Sequence, residues 1–307
     1  MTLALIAHGG AGNWRPGSEQ EAIDAMQAAV EAGRAVLLAG GGALDAVCAT
    51  VVILENNPIF NAGTGAVLNF DGFVELDASL MESGESRVGA VAALQRVKNP
   101  ILVARKVMEE TDHVMLAGEG AQRFARVMGF ADHDPVTPAR KADWQDKKAR
   151  MDEVLGKHSF KMRRFLKDHP EYAGGTVGAA AVDARGILAA GTSTGGVTMK
   201  LVGRVGDSPI PGAGNYASRF IAASATGTGE FVLRALAARA ISEEVERGAT
   251  LGEAIGKVLD QLGHDYDADV GLIGVDRDGG AVARHRTRDM PHAYFSGDAP
   301  VISRMRA

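Results

Sequence analysis

The chain has 307 residues, and hydrophobic residues make up 46% of them, enough for the core of one large domain or of two ordinary ones. The net charge of -5 provides no basic surface for neutralising phosphates, which argues against a nucleic-acid partner. The single cysteine cannot form an internal disulfide, and no apolar run approaches the roughly 20 residues of a membrane span. We therefore expect a soluble globular protein of the reducing cytoplasm, with no membrane contact.

The first part of the chain predicts one strand followed by two helices. A short apolar run without basic residues at its start is typical of a β-strand rather than of a signal peptide, and it ends in a glycine-rich turn that begins at His8. Apolar residues then recur at helical spacing, which predicts helices over 19–38 and 44–54 with a glycine-rich stop between them.

The next segments mix strands with helices. Short alternating runs predict antiparallel strands over 66–70, 74–80 and 88–93. Helices are predicted over 100–109, where a proline occupies the first turn, and over 118–127.

Residues 132–173 form the one candidate linker. Pro135 and Pro138 interrupt the pattern, the charges alternate in sign, and apolar residues become sparse. Because acidic residues stand among the lysines and arginines, we interpret this stretch as a solvated helical surface rather than as a binding patch.

The remaining part of the chain begins with a predicted buried hairpin of small side chains over 176–193. The later predicted elements are helices over 230–247 and 251–262 and strands over 221–225, 270–275, 281–286 and 292–296. Strand pairs and helix pairs stand side by side without strict alternation, which argues against a doubly wound parallel sheet. We expect packed sheets between helical layers.

Thr176 follows two glycines, at the end of the linker and the start of a strand. Glycine has no Cβ, so the backbone at Gly175 can adopt a distorted geometry in which the Thr176 hydroxyl attacks the preceding carbonyl. Hydrolysis of the resulting ester would free the α-amino group of Thr176. With an ordinary pKa of about 7.7 to 8.0, this amine could take the proton from its own hydroxyl near neutral pH. The same pattern is also typical of an ordinary loop. It does not by itself distinguish a cleavage point from a loop, so the surrounding motifs have to be considered.

Ordered motifs surround this threonine on both sides. Before it stand His8-Gly9-Gly10-Ala11-Gly12, Leu54-Glu55 to Pro58, Phe60-Asn61-Ala62-Gly63 and Glu75-Leu76-Asp77-Ala78. From it onward stand Gly175-Thr176-Val177-Gly178, Thr192-Ser193-Thr194-Gly195-Gly196, Gly203-Arg204-Val205-Gly206-Asp207-Ser208-Pro209, Gly212-Ala213-Gly214 and Thr226-Gly227-Thr228-Gly229-Glu230. Together they closely resemble the plant-type L-asparaginase/isoaspartyl peptidase family, over nearly the whole chain except the linker.

The resemblance implies an α/β fold, the αββα sandwich of N-terminal-nucleophile hydrolases, and a precursor that cuts itself between Gly175 and Thr176. Residues 1–175, with the linker at about 132–175, would form the α subunit, and residues 176–307 the β subunit, of one structural domain. Two such pairs would form a heterotetramer. The implied activity is hydrolysis of the side-chain amide of L-asparagine and of β-aspartyl dipeptides through an acyl-enzyme on Thr176, without a cofactor for catalysis.

The resemblance also implies roles at the reacting centre. Thr176 would be the nucleophile, and Thr194 the hydroxyl that hydrogen-bonds and tunes it. Asn61 and the backbone of Gly10 would position Thr176.

Further roles concern the developing charge and the substrate. Thr226 and Gly227 would form the oxyanion hole, which fits their place between a strand and a helix N-terminus. Arg204 would hold the substrate α-carboxylate through its planar guanidinium, and Asp207 the α-ammonium, with help from Gly227 and the Gly229 carbonyl. Without the family, an exposed surface ion pair would be the simpler interpretation of Arg204 and Asp207.

Residues 54–64 correspond to a loop that holds a structural sodium ion through backbone oxygens in that family. Asn57 and Thr64 differ from the residues expected there, but carbonyl ligands do not depend on side-chain identity. The implied ligand positions are Leu54, Glu55, Asn57, Phe60, Ala62 and Thr64.

Other interpretations stay open. Glycosylasparaginase, which removes a glycan-bearing amide from asparagine, typically has aspartate before the nucleophile and a signal peptide, whereas this chain has Gly175 and no such signal. A nucleotide-binding protein would suit Gly227-Thr228-Gly229, but the third glycine of the dinucleotide fingerprint and the lysine of a P-loop are missing. A scaffold that never cleaves itself is a third alternative.

Two groups of polar residues receive a structural interpretation. His8 could serve as a catalytic base, but a free amine makes that unnecessary, so we interpret it as a turn histidine with its hydrogen bonds satisfied. The spacing of His264, Asp265, Asp267 and Asp269 in an expected loop matches no metal motif.

Overall fold

A computed structural model describes residues 1–155 and 175–306. Its helices are α1 (Glu19–Leu38), α2 (Ala43–Asn56), α3 (Pro100–Glu110), α4 (Gly118–Val127), α5 (Pro138–Leu155), α6 (Gly229–Ala235), α7 (Ala237–Glu246) and α8 (Leu251–Tyr266). Its strands are β1 (Ala4–His8), β2 (Leu76–Glu82), β3 (Val88–Leu94), β4 (Met115–Ala117), β5 (Val177–Val182), β6 (Leu188–Thr194), β7 (Asn215–Ala217), β8 (Ile221–Gly227), β9 (Val270–Asp276), β10 (Ala281–His285), β11 (His292–Ser296) and β12 (Ile302–Arg304).

Two sheets form the centre of the fold. The larger has eight strands in the order β12-β11-β1-β5-β6-β2-β3-β4, and the smaller has four in the order β10-β9-β8-β7. All pairings are antiparallel except β3 with β4. Because β1 pairs with β5 and β2 with β6, strands from before and after the Gly175–Thr176 bond interleave in one sheet.

The central strands β1, β5, β6 and β2 of the large sheet are buried along their whole length, and most of their residues are small or apolar. On β1, Leu5 and Ala7 belong to the core beneath α1, α2 and α3, whereas Ala4 and Ile6 belong to the core between the sheets. Successive side chains of a strand point to opposite faces, so one strand contributes to both layers.

The small sheet packs one face against the large sheet and the other against helices. Ile273 and Val275 of β9 join the core between the sheets, and Leu272 joins a separate core with α7 and α8. The order helix layer, sheet, sheet, helix layer confirms the predicted αββα sandwich. Among the described residues, no helix is long and apolar enough to cross a membrane.

Two predicted elements differ in kind from the structure, and three short strands were not predicted. Residues 66–70 form a loop instead of a strand. The helix predicted over 230–247 is two helices, because Leu236 adopts a left-handed φ of 47° between α6 and α7. The short strands β4, β7 and β12 were not predicted, since three residues give too short a pattern to detect.

The candidate linker is partly a docked helix. Arg140 and Trp144 of α5 donate hydrogen bonds to the carbonyls of Gly65 and Asn69, at 2.6 and 2.9 Å. The interpretation of this helix as a purely solvated surface is therefore wrong. Its Arg140 and Trp144 side chains bind backbone carbonyls of a neighbouring loop. Residues 156–174 of the predicted linker lie outside the described part of the chain.

Candidate active site

Strand periodicity directs a set of hydroxyl side chains into the space between the sheets. Ala180 and Val182 of β5 face the small sheet, and Thr176 lies at an even-numbered position just before that strand. The same parity applies to Thr194, the last residue of β6, and to Thr226 near the end of β8. The side-chain period of two therefore gathers the three threonines at one end of the sandwich.

Thr176 and Thr194 are linked by a hydrogen bond whose direction can be assigned. The Thr176 hydroxyl donates to Thr194 Oγ1 at 3.1 Å, and Thr194 Oγ1 donates in turn to the Gly175 carbonyl oxygen at 3.4 Å. Thr194 Oγ1 also accepts the Gly196 N–H at 2.9 Å. Thr194 thus accepts a hydrogen bond from Thr176 while it donates one to the carbonyl of the Gly175–Thr176 bond, and both threonines are buried.

Asn61 and Gly10 both lie against the Gly175–Thr176 bond. The amide nitrogen of Asn61 donates to the carbonyl oxygens of Gly175 and Gly196, at 2.7 and 2.6 Å. Gly10 has φ of 109°, and a Cβ there would lie 2.7 Å from Gly175 Cα and 2.9 Å from Thr176 N. Only glycine permits this close approach of two backbones.

Thr226 lies beside the glycine-rich turn at residues 8–12. Its Oγ1 accepts the N–H of Ala11 at 3.2 Å, which leaves its own hydroxyl hydrogen without an acceptor among the described residues. The next residue, Gly227, has φ of 129°, and a Cβ there would lie 2.8 Å from Val270 Cα. Thr226 therefore presents a fixed donor at the strand end that leads into α6.

Arg204, Asp207 and Gly229 come together beyond Thr226. A Cβ on Gly229 would lie 2.7 Å from Asp207 Oδ1 and 3.0 Å from Arg204 Nη2, so the absent side chain makes room for both charged groups. Glu230 occupies one side of the guanidinium, because Arg204 Nε donates to Glu230 Oε1 at 2.9 Å. The simpler interpretation as an exposed ion pair fails for Asp207, which is buried.

The carboxyl of Asp207 is poised for a cationic partner. Its Oδ2 atom is buried and has no hydrogen-bond partner within the described ranges. Burial raises the pKa of Asp207 to about 7, although the positive charge of Arg204 opposes this shift. A second cation brought next to this oxygen would stabilise the ionised form.

His8 takes part in a buried chain of hydrogen bonds that connects the sheets. Thr192 Oγ1 donates to the Gly214 carbonyl at 3.0 Å, so Ser224 Oγ donates to Thr192, at 2.8 Å. Ser224 then accepts from His8 Nε2, 2.9 Å away. Burial lowers the pKa of His8 to about 3, so the ring is neutral. The interpretation as a turn histidine with its hydrogen bonds satisfied is wrong, since His8 ends β1, is fully buried, and has no partner for its Nδ1 among the described residues.

The loop after α2 carries the predicted cation ligands. It folds back on itself, because Thr64 N–H donates to the Glu55 carbonyl at 2.8 Å and Phe60 N–H to the Asn57 carbonyl at 3.2 Å. Thr64 Oγ1 is buried without a partner in the described part of the chain. An orphaned hydroxyl among backbone carbonyls is a hard oxygen set that fits an alkali ion.

Glu55, in the last turn of α2, is held by side-chain and backbone donors. Ser193 Oγ donates to its Oε1 at 2.7 Å, the Ile101 N–H to the same atom at 3.0 Å, and Asn99 Nδ2 to its Oε2 at 3.0 Å. Burial raises the pKa of Glu55 to about 7, against the effect of these bonds. Since Ser193 precedes Thr194, this contact also fixes the end of β6.

Two polar side chains near the site were not singled out from the sequence. Glu230 contacts Arg204 as described above, and its sequence signal was only an acidic residue at a helix start. Lys200 is buried, donates to the Glu75 carbonyl at 3.0 Å and has its Nζ 4.0 Å from Asp77 Oδ2. Nothing in the local pattern around Lys200 indicates its burial.

His264 and Asp265, which were expected in a loop, lie on α8. This helix extends four residues beyond the predicted end at residue 262. Asp267 caps its C-terminal end with a left-handed φ of 49°. No group of three or more metal-ligating side chains occurs in the residues that the structure describes.

Comparisons with known proteins cover the chain from end to end. A family model described as Asparaginase matches residues 1–302. The chain is 44% identical over 300 residues to the plant-type L-asparaginase of Pyrococcus abyssi, covering 95% of this chain and 96% of that protein. It is 43% identical over 295 residues to the isoaspartyl peptidase/L-asparaginase of Rattus norvegicus, covering 95% and 86%. It is 41% identical over 312 residues to the isoaspartyl peptidase of Escherichia coli, covering 98% and 95%.

Proposed function

The chain belongs to the asparaginase family, and from this membership we propose a mechanism in which Thr176 first cuts its own chain and then hydrolyses substrate. The enzyme hydrolyses the side-chain amides of L-asparagine and of β-aspartyl dipeptides. The observation that carries the mechanism is the path of hydrogen bonds from the Thr176 hydroxyl through Thr194 to the Gly175 carbonyl.

Self-cleavage starts with attack of Thr176 Oγ1 on the Gly175 carbonyl carbon. The hydroxyl proton passes to the Thr176 nitrogen, the Gly175–Thr176 C–N bond breaks, and Thr176 Oγ1 becomes esterified. The Asn61 amide stabilises the negative charge on the attacked oxygen, since it already donates to that oxygen. Water then hydrolyses the ester, which leaves a carboxylate on Gly175 and a free α-amino group on Thr176.

Substrate hydrolysis uses the same hydroxyl with its new neighbouring amine as base. The amine takes the proton of Thr176 Oγ1 as this oxygen attacks the side-chain carbonyl of the substrate. Thr226 and Gly227 stabilise the oxyanion, and collapse of the tetrahedral intermediate expels ammonia or an amino acid. Water then hydrolyses the acyl-enzyme and releases aspartate.

Recognition of the aspartyl unit is assigned to its two charged groups. Arg204 holds the α-carboxylate, which displaces Glu230 from the guanidinium, and Asp207 with the Gly229 carbonyl holds the α-ammonium. The oxygen of buried Asp207 that has no partner among the described residues supports this role.

We also propose that the cleaved chain forms a heterotetramer and binds a structural sodium ion. A cut chain would stay together because its strands interleave in one sheet, and two cleaved pairs would form the heterotetramer. Carbonyls of residues 54–64 would hold a sodium ion that fixes the loop carrying Asn61. A reducing cytoplasm stays the expected compartment, since one cysteine cannot form an internal disulfide.

Glycosylasparaginase is not favoured, because glycine precedes Thr176 and the relatives described above are named for asparagine and isoaspartyl substrates. The test compares L-asparagine, β-Asp-Leu, α-Asp-Leu and a glycosyl-asparagine on fully cleaved enzyme. We expect turnover of the first two only, because an α-linked dipeptide places its amide where the free carboxylate belongs. Release of sugar amine at a comparable rate, or turnover of α-Asp-Leu, would reject the proposed substrate class.

A further inference from the structure

A cavity of about 610 Å³ lies at the edge where the two sheets meet. It is lined by β10 of the small sheet and by β11 and β12 of the large sheet, and it shares no residue with the catalytic set proposed above. Its cationic and imidazole side chains are Arg284, Arg288, Arg304, Arg306, His285 and His292.

The positive charge of this cavity is only partly neutralised. Asp289, which is buried, accepts hydrogen bonds from Arg288 Nε at 2.6 Å and from Arg306 Nε at 3.0 Å. Arg284 and Arg304 form no ion pair with any residue in the described ranges. Of the four guanidinium groups, two therefore pair with the single carboxylate of Asp289, and the other two have no ion pair among the described residues.

A second arginine-lined cavity provides an internal comparison. This cavity, of about 530 Å³, is lined by Arg219, Arg239 and Arg247 beside α7. Each of these arginines pairs with a glutamate, at 3.3, 2.9 and 2.8 Å respectively. Both cavities thus contain arginines. They differ because the first contains two, Arg284 and Arg304, that form no ion pair among the described residues.

We propose that the cavity lined by Arg284 and Arg304 binds a compact multivalent oxyanion, either a phosphate compound or a di- or tricarboxylate. Guanidinium groups donate two parallel hydrogen bonds to either kind of oxyanion. The volume falls within the range of small-molecule sites, so several ligand atoms fit together with water. Arg288 and Arg306, oriented by Asp289, supply further donors at the rim.

Paired strands of the large sheet connect the cavity to the neighbourhood of Thr176. His292 pairs with His8 across β11 and β1, and β1 in turn pairs with β5, the strand that follows Thr176. Binding itself does not depend on the proposed catalytic roles, because none of the lining arginines contributes to them. The experiment therefore measures binding alone.

Calorimetric titration of the full chain at low ionic strength, with inorganic pyrophosphate and with citrate as probes, tests the proposal. We expect binding of at least one probe, and at least about tenfold weaker binding in the double variant Arg284→Gln/Arg304→Gln, because each change removes charge-assisted hydrogen bonds. The matched control is Arg219→Gln/Arg239→Gln, which removes the same charge from the balanced cavity and should bind as the parent does.

The pattern across probes identifies the ligand class. Binding of pyrophosphate alone supports a phosphate compound, and binding of citrate alone supports a carboxylate. The single variant Arg304→Gln, at an exposed position, keeps the test intact should the double variant fail to fold. Absence of binding by both probes to the parent protein, or an equal loss in the control variant, would overturn the proposal.

Discussion

The side-chain amide of Asn61 donates a hydrogen bond of 2.7 Å to the carbonyl oxygen of Gly175, the carbonyl that Thr176 attacks in the proposed self-cleavage. A donor placed on this oxygen before the reaction would also stabilise the negative charge that forms there. Because Asn61 and Gly175 are 114 residues apart in the chain, folding itself assembles this contact.

Replacement of Asn61 by aspartate should slow self-cleavage by about a hundredfold or more, because aspartate keeps the shape but removes the donor. The rate is measured from the appearance of the two fragments on denaturing gels after rapid purification. Asn56→Asp, the same chemical change at an exposed position on α2, is the control and should cleave normally. Equal cleavage rates for the two variants would remove Asn61 from the reaction.

Thr226→Val should lower kcat by roughly a hundredfold or more with little change in KM, because the proposed role of its hydroxyl is to stabilise charge that exists only in the transition state. The measurement is steady-state asparagine hydrolysis by fully cleaved protein. Thr228→Val is the matched control, since that side chain makes no capping hydrogen bond at α6. An unchanged kcat in the Thr226 variant would exclude an oxyanion role for this hydroxyl.

Blocking either charged group of asparagine should reduce kcat/KM by roughly 30-fold to several thousandfold, the usual effect of leaving one member of a desolvated charge pair alone. N-acetyl-asparagine leaves Asp207 facing a neutral amide, and asparagine α-amide leaves Arg204 without its carboxylate. Both are compared with free asparagine on the same preparation. Similar rates for free and blocked compounds are incompatible with the roles given to Arg204 and Asp207.

The preference for a free α-ammonium should weaken as the pH falls below about 7, the pKa to which burial raises Asp207. Only the ionised carboxyl attracts the ammonium, so this contribution is present above that pH and is lost below it. The Thr176 amine, with an ordinary pKa of about 7.7 to 8.0, also titrates nearby. The ratio of kcat/KM for asparagine to that for N-acetyl-asparagine cancels the shared effect of the amine. A ratio that stays constant from pH 8 to about pH 5.5 would contradict the assignment to Asp207.

The sequence predicted the layers of the fold because small apolar residues and glycine stops mark most elements clearly. Helices α1 and α4 begin and end where their periodicity predicts. The break at Leu236 was not predictable, because a leucine with left-handed φ between two helices leaves no mark in an amphipathic pattern. The docking of α5 was also missed, since Arg140 and Trp144 bind backbone carbonyls that no local pattern identifies.

Apart from Thr176, the candidate site was accessible from the sequence only through the family resemblance. Spacing alone suggested Thr176 as a cleavage point, but Asn61, which contacts the preceding carbonyl, lies 114 residues away from Gly175 in the chain. Glu230 and Lys200 were missed for a related reason, since their partners Arg204 and Glu75 become neighbours only in the folded chain. Side-chain chemistry at such contacts depends on topology more than on local pattern.

Intact mass measurement combined with N-terminal sequencing of the purified protein tests self-cleavage at the Gly175–Thr176 bond. We expect two fragments from the 32.0 kDa chain, one of which begins with Thr176. Thr176→Ala should remain a single full-length chain without amidase activity, whereas Thr176→Ser should still cleave because it keeps a hydroxyl. An alanine variant that still splits at this bond, or a fully active parent protein that stays uncut, would contradict the account.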